Sequence, residues 1–197
     1  MNKIFLLSFG LALLLVFVIG LYIPAKADCC AYHVVSEYNS TYAYQYGAYT
    51  YDYTLGYSGN AKWGYNDTSA PANRTAIWYC KSSDIFTQNY YWHFYVAVPL
   101  QGGILDGSYT YNVYNTAETF SQPVNQENFA DEWAYLGYAE GKGATVASGN
   151  CRVSVNNLNA GGTPQRQFWV DAVEYWPGTS VTPPQYRHDF ESPWITH

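Results

Sequence analysis

The chain has 197 residues, and its 9 basic and 15 acidic side chains give a net charge of −6 at neutral pH. Charged residues make up only 12% of the chain, whereas aromatic residues make up 19%, with 22 tyrosines among them. This acidic balance argues against nucleic acid and anionic membrane surfaces as partners, because both attract clustered lysine and arginine. Low charge with abundant Tyr, Asn, Thr and Gly is typical of extracellular β proteins.

The first 27 residues have the parts of a secretory signal peptide. Lys3 supplies the positive start, Ile4 to Ile23 form an apolar run, and Ala25-Lys26-Ala27 is a small-x-small cleavage site. The apolar run is long enough to span a bilayer, so an uncleaved anchor is the alternative. Pro24 and the cleavage site favour removal of residues 1–27. We therefore expect a secreted or cell-surface protein without membrane contact after cleavage.

Four cysteines remain in the mature chain, namely Cys29, Cys30, Cys80 and Cys151. An even number in an exported protein predicts two disulfides, with three possible connectivities. A direct bond between the adjacent Cys29 and Cys30 would be strained, so we expect each of them to have a separate partner. The sequence leaves open whether those partners belong to the same chain. No cysteine or histidine spacing suits zinc, and we expect no metal and no cofactor.

Short apolar or alternating stretches, separated by Asn, Gly, Pro, Ser and Asp, predict strands rather than helices after residue 27. Their spacing predicts an all-β protein, an antiparallel β-sandwich of jelly-roll type, as one domain over residues 28–177. Residues 178–197 contain Pro183-Pro184 and Pro193 and are expected to form an extended tail. The predicted strands are His33–Glu37, Tyr42–Tyr46, Tyr49–Tyr53, Lys62–Tyr65, Thr75–Cys80, Tyr90–Val98, Ser108–Tyr114, Phe120–Val124, Glu132–Gly137, Cys151–Val155 and Gln167–Trp176.

The last predicted strand contains an acidic residue on an otherwise apolar face. Strand alternation places Asp171 on the same face as Val173 and Tyr175, with Glu174 on the opposite face. A buried carboxylate needs hydrogen-bond partners. We interpret Asp171 as a structural buried acid rather than a functional one.

Tyrosines recur every second residue in two short segments separated by Gly47-Ala48. The spacing places Tyr42, Tyr44 and Tyr46 on one face, and Tyr49, Tyr51 and Tyr53 on one face of the next segment. Such a set stabilises sheets through cross-strand aromatic pairs, stacks on sugar rings, or forms a subunit contact. The pattern alone does not choose among these three roles.

No arrangement of side chains points to an enzyme. Gly56-Tyr57-Ser58-Gly59 lacks the spacing of a nucleophile elbow. Asp171 and Glu174 on opposite faces of one strand cannot form a glycosidase pair. Asp131-Glu132 is typical of a solvated loop, and calcium binding through Asp106 or Asp131 is not supported by any D-x-D-x-D run.

Two further polar features have a structural and a functional interpretation. His93 lies inside the apolar run Tyr90–Val98, where a core histidine is more common than a catalytic one. Asn125 and Gln126 lie between strands, where their amides bind a sugar hydroxyl or satisfy main-chain groups. The structural role is favoured for all three.

Six patches in chain order share a pattern with a known domain family. They are His33–Asn39, Gly56–Asn60 with Trp63 and Tyr65, Thr75–Trp78, Tyr95–Ala97, Val124–Gln126 with Trp133, Leu136 and Gly137, and Val170–Val173 with Tyr175. In this order they resemble the golvesin C-terminal-like domain, which also accompanies xanthan lyase. The resemblance covers about residues 33–177 and implies a carbohydrate-binding-like β-sandwich that accompanies extracellular polysaccharide or cell-surface proteins, but it does not identify a ligand.

Two functions follow from these expectations. The favoured hypothesis is a non-catalytic structural subunit of a cell-surface or extracellular fibre, which binds copies of itself through termini carrying Cys29, Cys30, Phe190 and Trp194. The alternative is a carbohydrate-binding module for extracellular polysaccharide, in which aromatic faces stack on sugar rings.

Overall fold

The computed structural model describes residues 33–80, 91–99, 108–114, 118–129, 131–140, 151–160, 162–178 and 180–183. Within these ranges no helix is both long and apolar enough to cross a membrane. The described residues form strands joined by turns, with one-turn 3-10 helices at Tyr57–Gly59 and Gln126–Asn128. The strands are β1 (His33–Val35), β2 (Ala43–Tyr46), β3 (Thr50–Asp52), β4 (Ala61–Tyr65), β5 (Thr75–Tyr79), β6 (Tyr91–Val98), β7 (Ser108–Tyr114), β8 (Thr119–Asn125), β9 (Glu132–Glu140), β10 (Arg152–Asn156), β11 (Gln167–Val170) and β12 (Val173–Gly178).

The strands pair into three antiparallel sheets. A four-stranded sheet has the order β1-β12-β6-β9, a five-stranded sheet has the order β2-β5-β10-β7-β8, and a three-stranded sheet has the order β11-β4-β3. All the named strand pairs are antiparallel. The prediction of an antiparallel β-sandwich is therefore confirmed.

One apolar core joins the inner faces of the sheets. In β6, Trp92, Phe94, Val96 and Val98 face this core, because alternate side chains of a strand point to the same side. The five-stranded sheet supplies the facing side chains, and the three-stranded sheet adds two more. The core residues on these two sheets include Trp78, Tyr109, Tyr111, Val113, Val153, Val155, Phe168 and Val170.

A disulfide between Cys80 and Cys151 ties the end of β5 to the start of β10. The bond closes a loop whose ends are 71 residues apart in sequence, and Cys80 N also donates to Cys151 O at 3.0 Å. Because these cysteines bond to each other, they cannot serve as the separate partners expected for Cys29 and Cys30 within the same chain. Cys29 and Cys30 lie outside the described residues.

The predicted single strand Gln167–Trp176 is wrong in one respect, because the chain breaks it at Asp171-Ala172. β11 pairs with β4 in the three-stranded sheet, and β12 pairs with β6 in the four-stranded sheet. Phe168 and Val170 face the core before the break, and Val173 and Tyr175 face it afterwards. The core-facing residues have even numbers before Asp171-Ala172 and odd numbers after it, so one two-residue period does not describe the whole run.

Candidate functional site

The break between β11 and β12 places Asp171 against Glu37, the second residue after β1. Both side chains are buried, and each carboxyl group acts on the ionisation of the other. Tyr57 N donates to Asp171 Oδ2 at 2.6 Å, and Ser36 Oγ donates to Glu37 Oε2 at 3.0 Å. In the described part of the chain, the other two oxygens, Glu37 Oε1 and Asp171 Oδ1, have no hydrogen-bond donor. We call these two residues the acid pair.

Burial decides the charge of the acid pair. Loss of water around the carboxyl group raises the pKa of Glu37 to about 7, against an ordinary value of 4.5. Burial, followed by the negative charge of Glu37, raises the pKa of Asp171 well above its usual range. Two buried carboxylates in contact cannot both be ionised without strong repulsion. At mildly acidic pH at least one of the two carboxyl groups is therefore protonated.

Lys62 on β4 lies beside the acid pair and carries the compensating charge. Its Nζ donates to Gln45 Oε1 at 2.8 Å and to Glu37 O at 3.3 Å. The same nitrogen lies 4.6 Å from the ring centroid of Tyr38 and 5.2 Å from that of Tyr51. Burial lowers the pKa of Lys62, while the charge of Glu37 opposes that shift. Lys62 thus links the buried acid pair to aromatic rings at the surface.

Those rings form the tyrosine platform, which we define as Tyr38, Tyr51 and Tyr53. The ring centroids of Tyr38 and Tyr51 are 6.0 Å apart, and those of Tyr51 and Tyr53 are 6.2 Å apart. The planes of Tyr51 and Tyr53 lie within 11° of parallel. All three side chains are exposed, from 38% for Tyr38 to 70% for Tyr53. The platform therefore offers neighbouring aromatic faces to the solvent.

The six tyrosines singled out in the sequence do not form one surface. Tyr51 and Tyr53 belong to the platform, whereas Tyr42 and Tyr49 are partly buried against the core. Tyr44 and Tyr46 are exposed, but they alternate along β2 with Gln45, whose side chain contacts Lys62. Alternation therefore directs Tyr44 and Tyr46 to the opposite face of β2.

His93 has two hydrogen-bond partners in a buried position. Its Nε2 lies 3.0 Å from Ser180 O, and its Nδ1 lies 3.0 Å from the hydroxyl of Tyr135. Because a carbonyl oxygen only accepts, Nε2 carries the proton and Nδ1 accepts from the tyrosine. Burial lowers the pKa of His93, so the ring is neutral at pH 7. Its role here is to hold the main chain that follows β12.

The amides of Asn125 and Gln126 are used within the fold. Gln126 Oε1 accepts from Trp169 N at 3.1 Å, while its Nε2 donates to Trp169 O at 2.8 Å and to the Tyr111 hydroxyl at 3.1 Å. Asn125 Oδ1 accepts from Glu127 N at the start of a 3-10 turn. Gln126 therefore acts as a substitute strand partner for β11, and Asn125 caps the turn that follows β8.

Sequence reasoning missed Glu37 and Lys62 as parts of the site. Glu37 stands beside a turn and Lys62 in an alternating strand, where charged residues are normally solvated. Glu37, Lys62 and Asp171 come together only in the folded chain, where the end of β1, strand β4 and the β11–β12 junction are neighbours. Across the described ranges, no group of three or more His, Cys, Asp or Glu side chains is arranged to hold a metal ion.

Comparison with solved structures finds a similar fold in a Paenibacillus xanthan lyase. The two share 14% sequence identity with a TM-score of 0.53, over 78% of this chain and 13% of that chain. A Clostridium thermocellum N-terminal endo-1,4-β-D-xylanase 10B, comprising CBM22-1 and GH10 modules in complex with xylohexaose, matches at 15% identity over 78% of this chain and 27% of that one. Its TM-score of 0.30 is too low to support a common fold.

No protein-family model matches the chain, and no curated protein matches it. The resemblance to the golvesin C-terminal-like domain therefore stays a prediction from sequence. The chain spans only 13% of the xanthan lyase it matches, so the similarity concerns one part of that enzyme. At 14% identity this chain is similar to that part of xanthan lyase in its β-sandwich fold.

Proposed function

We propose that this protein is a carbohydrate-binding module of the β-sandwich type, and that its tyrosine platform binds the sugar rings of an extracellular polysaccharide. The observation that carries the proposal is the exposed, near-parallel pair Tyr51 and Tyr53 with Tyr38 beside it. Aromatic faces pack against the apolar faces of pyranose rings, and their hydroxyl groups remain free for the polar rim.

The buried groups beneath the platform fix its rings before a ligand arrives. Lys62 contacts the rings of Tyr38 and Tyr51, and it is itself held by Gln45 and the main chain of Glu37. A ring that is already ordered loses little conformational entropy on binding. This arrangement favours a ligand-binding role over a purely structural one for Tyr38 and Tyr51.

Two further observations support a polysaccharide ligand. The solved structure with the similar fold is a xanthan lyase, an enzyme named for its action on a polysaccharide. The Cys80–Cys151 disulfide suits an oxidising, extracellular compartment, as does the predicted signal peptide. Polysaccharides are the abundant ligands of that compartment.

Affinity gel electrophoresis against a panel of polysaccharides tests the proposal with a matched pair of variants. We expect Y51A/Y53A to lose the retardation that the native protein shows in its best gel, and Y44A/Y46A to keep it. The pairs are matched because all four side chains are at least half exposed. Equal retardation of both variants in that gel would contradict the platform as the binding surface.

A fibre subunit is the second candidate, and one observation favours it. β2 is an edge strand of the five-stranded sheet and carries the exposed Tyr44 and Tyr46. An edge strand offers unpaired main-chain groups to a strand of a neighbouring copy. The terminal residues Cys29, Cys30, Phe190 and Trp194 that suggested assembly lie outside the described residues.

Truncation separates this candidate from the first. Because Ser180 is held by His93, the tail should be removed from residue 184 rather than from Gly178. If the protein is a fibre subunit, deleting residues 28–32 or 184–197 abolishes polymers seen by electron microscopy, while the β-sandwich still melts cooperatively. A native protein that stays monomeric at high concentration under oxidising conditions and binds a polysaccharide excludes the fibre candidate.

A further inference from the structure

Lys62 and Gln45 bring an amine and a carboxamide into contact inside the fold. Lys62 Nζ lies 2.8 Å from Gln45 Oε1. Because a carbonyl C=O bond is about 1.2 Å long, the same nitrogen is at most about 4 Å from the carboxamide carbon, Gln45 Cδ. Reacting atoms in a near-attack arrangement are about 3–3.5 Å apart. A small shift of either side chain therefore brings the amine within reach of that carbon.

One main-chain carbonyl orients both groups. Glu37 O accepts from Gln45 Nε2 at 2.8 Å and from Lys62 Nζ at 3.3 Å. The hydrogen bond from Nε2 fixes the Gln45 carboxamide with its oxygen towards Lys62. The two side chains belong to different sheets, since Gln45 lies on β2 and Lys62 on β4. The fold thus holds an electrophile and a nucleophile in a fixed relation.

The surroundings of Lys62 favour the neutral amine, which is the reactive form. Its side chain is only 6% exposed, and its Nζ lies beneath the rings of Tyr38 and Tyr51. Burial lowers the pKa of Lys62, and the opposing effect of the Glu37 charge is smaller. The fraction of uncharged amine is therefore increased. A desolvated lysine acts as a nucleophile, whereas a protonated ammonium group has no lone pair to donate.

A proton acceptor lies near the amine. The charge of Glu37 acts on Lys62 and the charge of Lys62 acts on Glu37, so the two groups are electrostatic neighbours. Glu37 Oε1 is buried and has no hydrogen-bond donor in the described part of the chain. Burial raises the pKa of Glu37 to about 7, so its carboxyl group takes up and releases a proton near neutral pH. Such a group is suited to carry a proton between two nitrogens.

We propose that Lys62 and Gln45 react with each other to form an amide cross-link between β4 and β2. Nζ of the uncharged Lys62 attacks Gln45 Cδ, and a new C–N bond forms while the carbonyl π electrons move to Oε1. Nζ gives a proton to the Glu37 carboxylate, which passes it to Gln45 Nε2. The Cδ–Nε2 bond then breaks, ammonia leaves and the carbonyl is restored. An amine and a carboxamide thus become a secondary amide and ammonia, and the balance needs no other reactant.

The cross-link does not depend on the proposed sugar-binding function. It joins an edge strand of the five-stranded sheet to the three-stranded sheet, beneath the rings of Tyr38 and Tyr51. A protein that binds no polysaccharide can still carry it, and a protein without it can still bind sugar through the tyrosine platform. The two proposals can therefore fail separately.

Mass spectrometry of the secreted native protein, after reduction and alkylation, tests for the cross-link. Within residues 28–74, trypsin can cut only after Lys62 and Arg74. We expect the bond after Lys62 to resist trypsin, because an acylated lysine has lost its charge. The fragment ending at Arg74 should be lighter than its sequence by one ammonia. Chymotrypsin, cutting between Gln45 and Lys62, should then give two peptides that stay joined. A fragment of full sequence mass that is cut after Lys62 overturns the proposal.

The variants K62R and Q45A remove the nucleophile and the electrophile in turn. K62R keeps a positive charge and hydrogen-bond donors, but a guanidinium stays protonated and cannot attack. Both variants should lack the ammonia loss. Q122A is the matched control, because Gln122 is also partly buried and donates to the neighbouring Pro123 O. It should keep the ammonia loss. Ammonia loss that persists in Q45A would come from another residue, such as a cyclised asparagine, and overturns the pairing.

E37Q tests the proton-transfer step. A carboxamide cannot carry the proton, so cross-linking of newly secreted, pulse-labelled protein should slow by about 10²–10⁴-fold, the usual contribution of general acid–base catalysis. Cooperative melting of E37Q shows that the variant is folded. E127Q, at an exposed position, should cross-link at the native rate. A native rate in folded E37Q overturns the role of Glu37 as the proton carrier.

Discussion

Glu37, just after β1, and Asp171, where β11 passes into β12, are neighbouring buried carboxyl groups, and burial raises the pKa of both. The pair stands at the point where the chain moves from the three-stranded to the four-stranded sheet. Through Tyr57 N it holds the turn after β3, and through Lys62 it lies next to the tyrosine platform. Lys62 therefore lies between the buried acid pair and the exposed tyrosine platform.

The acid pair predicts that stability falls as pH rises. Folding raises both pKa values, so between the unfolded and folded values the folded protein binds more protons than the unfolded chain. Stability is then lost as pH increases through this window, which for Glu37 extends from 4.5 to about 7. Thermal melting between about pH 5 and about pH 8 should show a falling midpoint.

Glu37→Gln tests the origin of that slope. The variant removes the titration of Glu37 and the negative charge that helps to raise the pKa of Asp171, so the slope should become smaller while buried Asp171 keeps part of it. Glu127→Gln, at an exposed position, is the control and should keep the native slope. A slope as steep in Glu37→Gln as in the native protein would mean that other groups cause it.

Asp171→Ala should destabilise the fold by about 1–3 kcal/mol, because the main-chain N–H of Tyr57 loses its hydrogen-bond acceptor. Urea unfolding of the purified variant measures this change. Polysaccharide binding at temperatures where the variant is folded should be weakened only slightly. Lost binding with unchanged melting would instead assign Asp171 a direct functional role.

Gly56→Ala should cost more stability than Gly59→Ala, although both glycines have positive φ. A Cβ at Gly56 would lie 2.6 Å from Asp171 Oδ2, whereas a Cβ at Gly59 would meet no atom within 4 Å. Gly56 also has ψ of −179°, a backbone region open essentially to glycine alone, and its Cβ would meet Asn60 O as well, so the difference between the variants reports this backbone strain together with the contact with Asp171. Equal costs in urea unfolding would show that the turn yields without disturbing Asp171.

Reduction of the Cys80–Cys151 disulfide should lower the free energy of unfolding by about 2–4 kcal/mol, because the bond closes a long loop. Urea unfolding with and without a reducing agent measures the difference. Titration of thiols in the denatured, unreduced protein should find none at Cys80 and Cys151. Four reactive thiols per chain would contradict the disulfide.

Strand positions were predictable because the two-residue period and the turn residues are local signals. The prediction of Ser108–Tyr114 coincides with β7, and Lys62–Tyr65 differs from β4 by one residue. The division of Gln167–Trp176 was not predictable, since it depends on Trp78 Nε1 and Ala97 N donating to the carbonyls of Asp171 and Ala172. Those donors belong to distant strands.

The candidate site was predictable only in part for the same reason. A spacing of two placed Tyr49, Tyr51 and Tyr53 on one face without choosing between sheet packing and a surface role, and the structure exposes Tyr51 and Tyr53 while Tyr49 is partly buried against the core. Tyr38 and Lys62 join the platform through contacts between separate strands and turns. Tertiary contacts of this kind leave no periodic pattern in the sequence.

The central claim is that Tyr38, Tyr51 and Tyr53 form the polysaccharide-binding surface. Isothermal titration of the best-bound oligosaccharide into Y51A/Y53A and Y44A/Y46A tests it most directly. Two stacked rings at about 0.5–1.5 kcal/mol each predict that Y51A/Y53A binds about 5-fold to about 150-fold more weakly. Y44A/Y46A should keep the native Kd. A native Kd in Y51A/Y53A, with the loss found in Y44A/Y46A, would contradict the account.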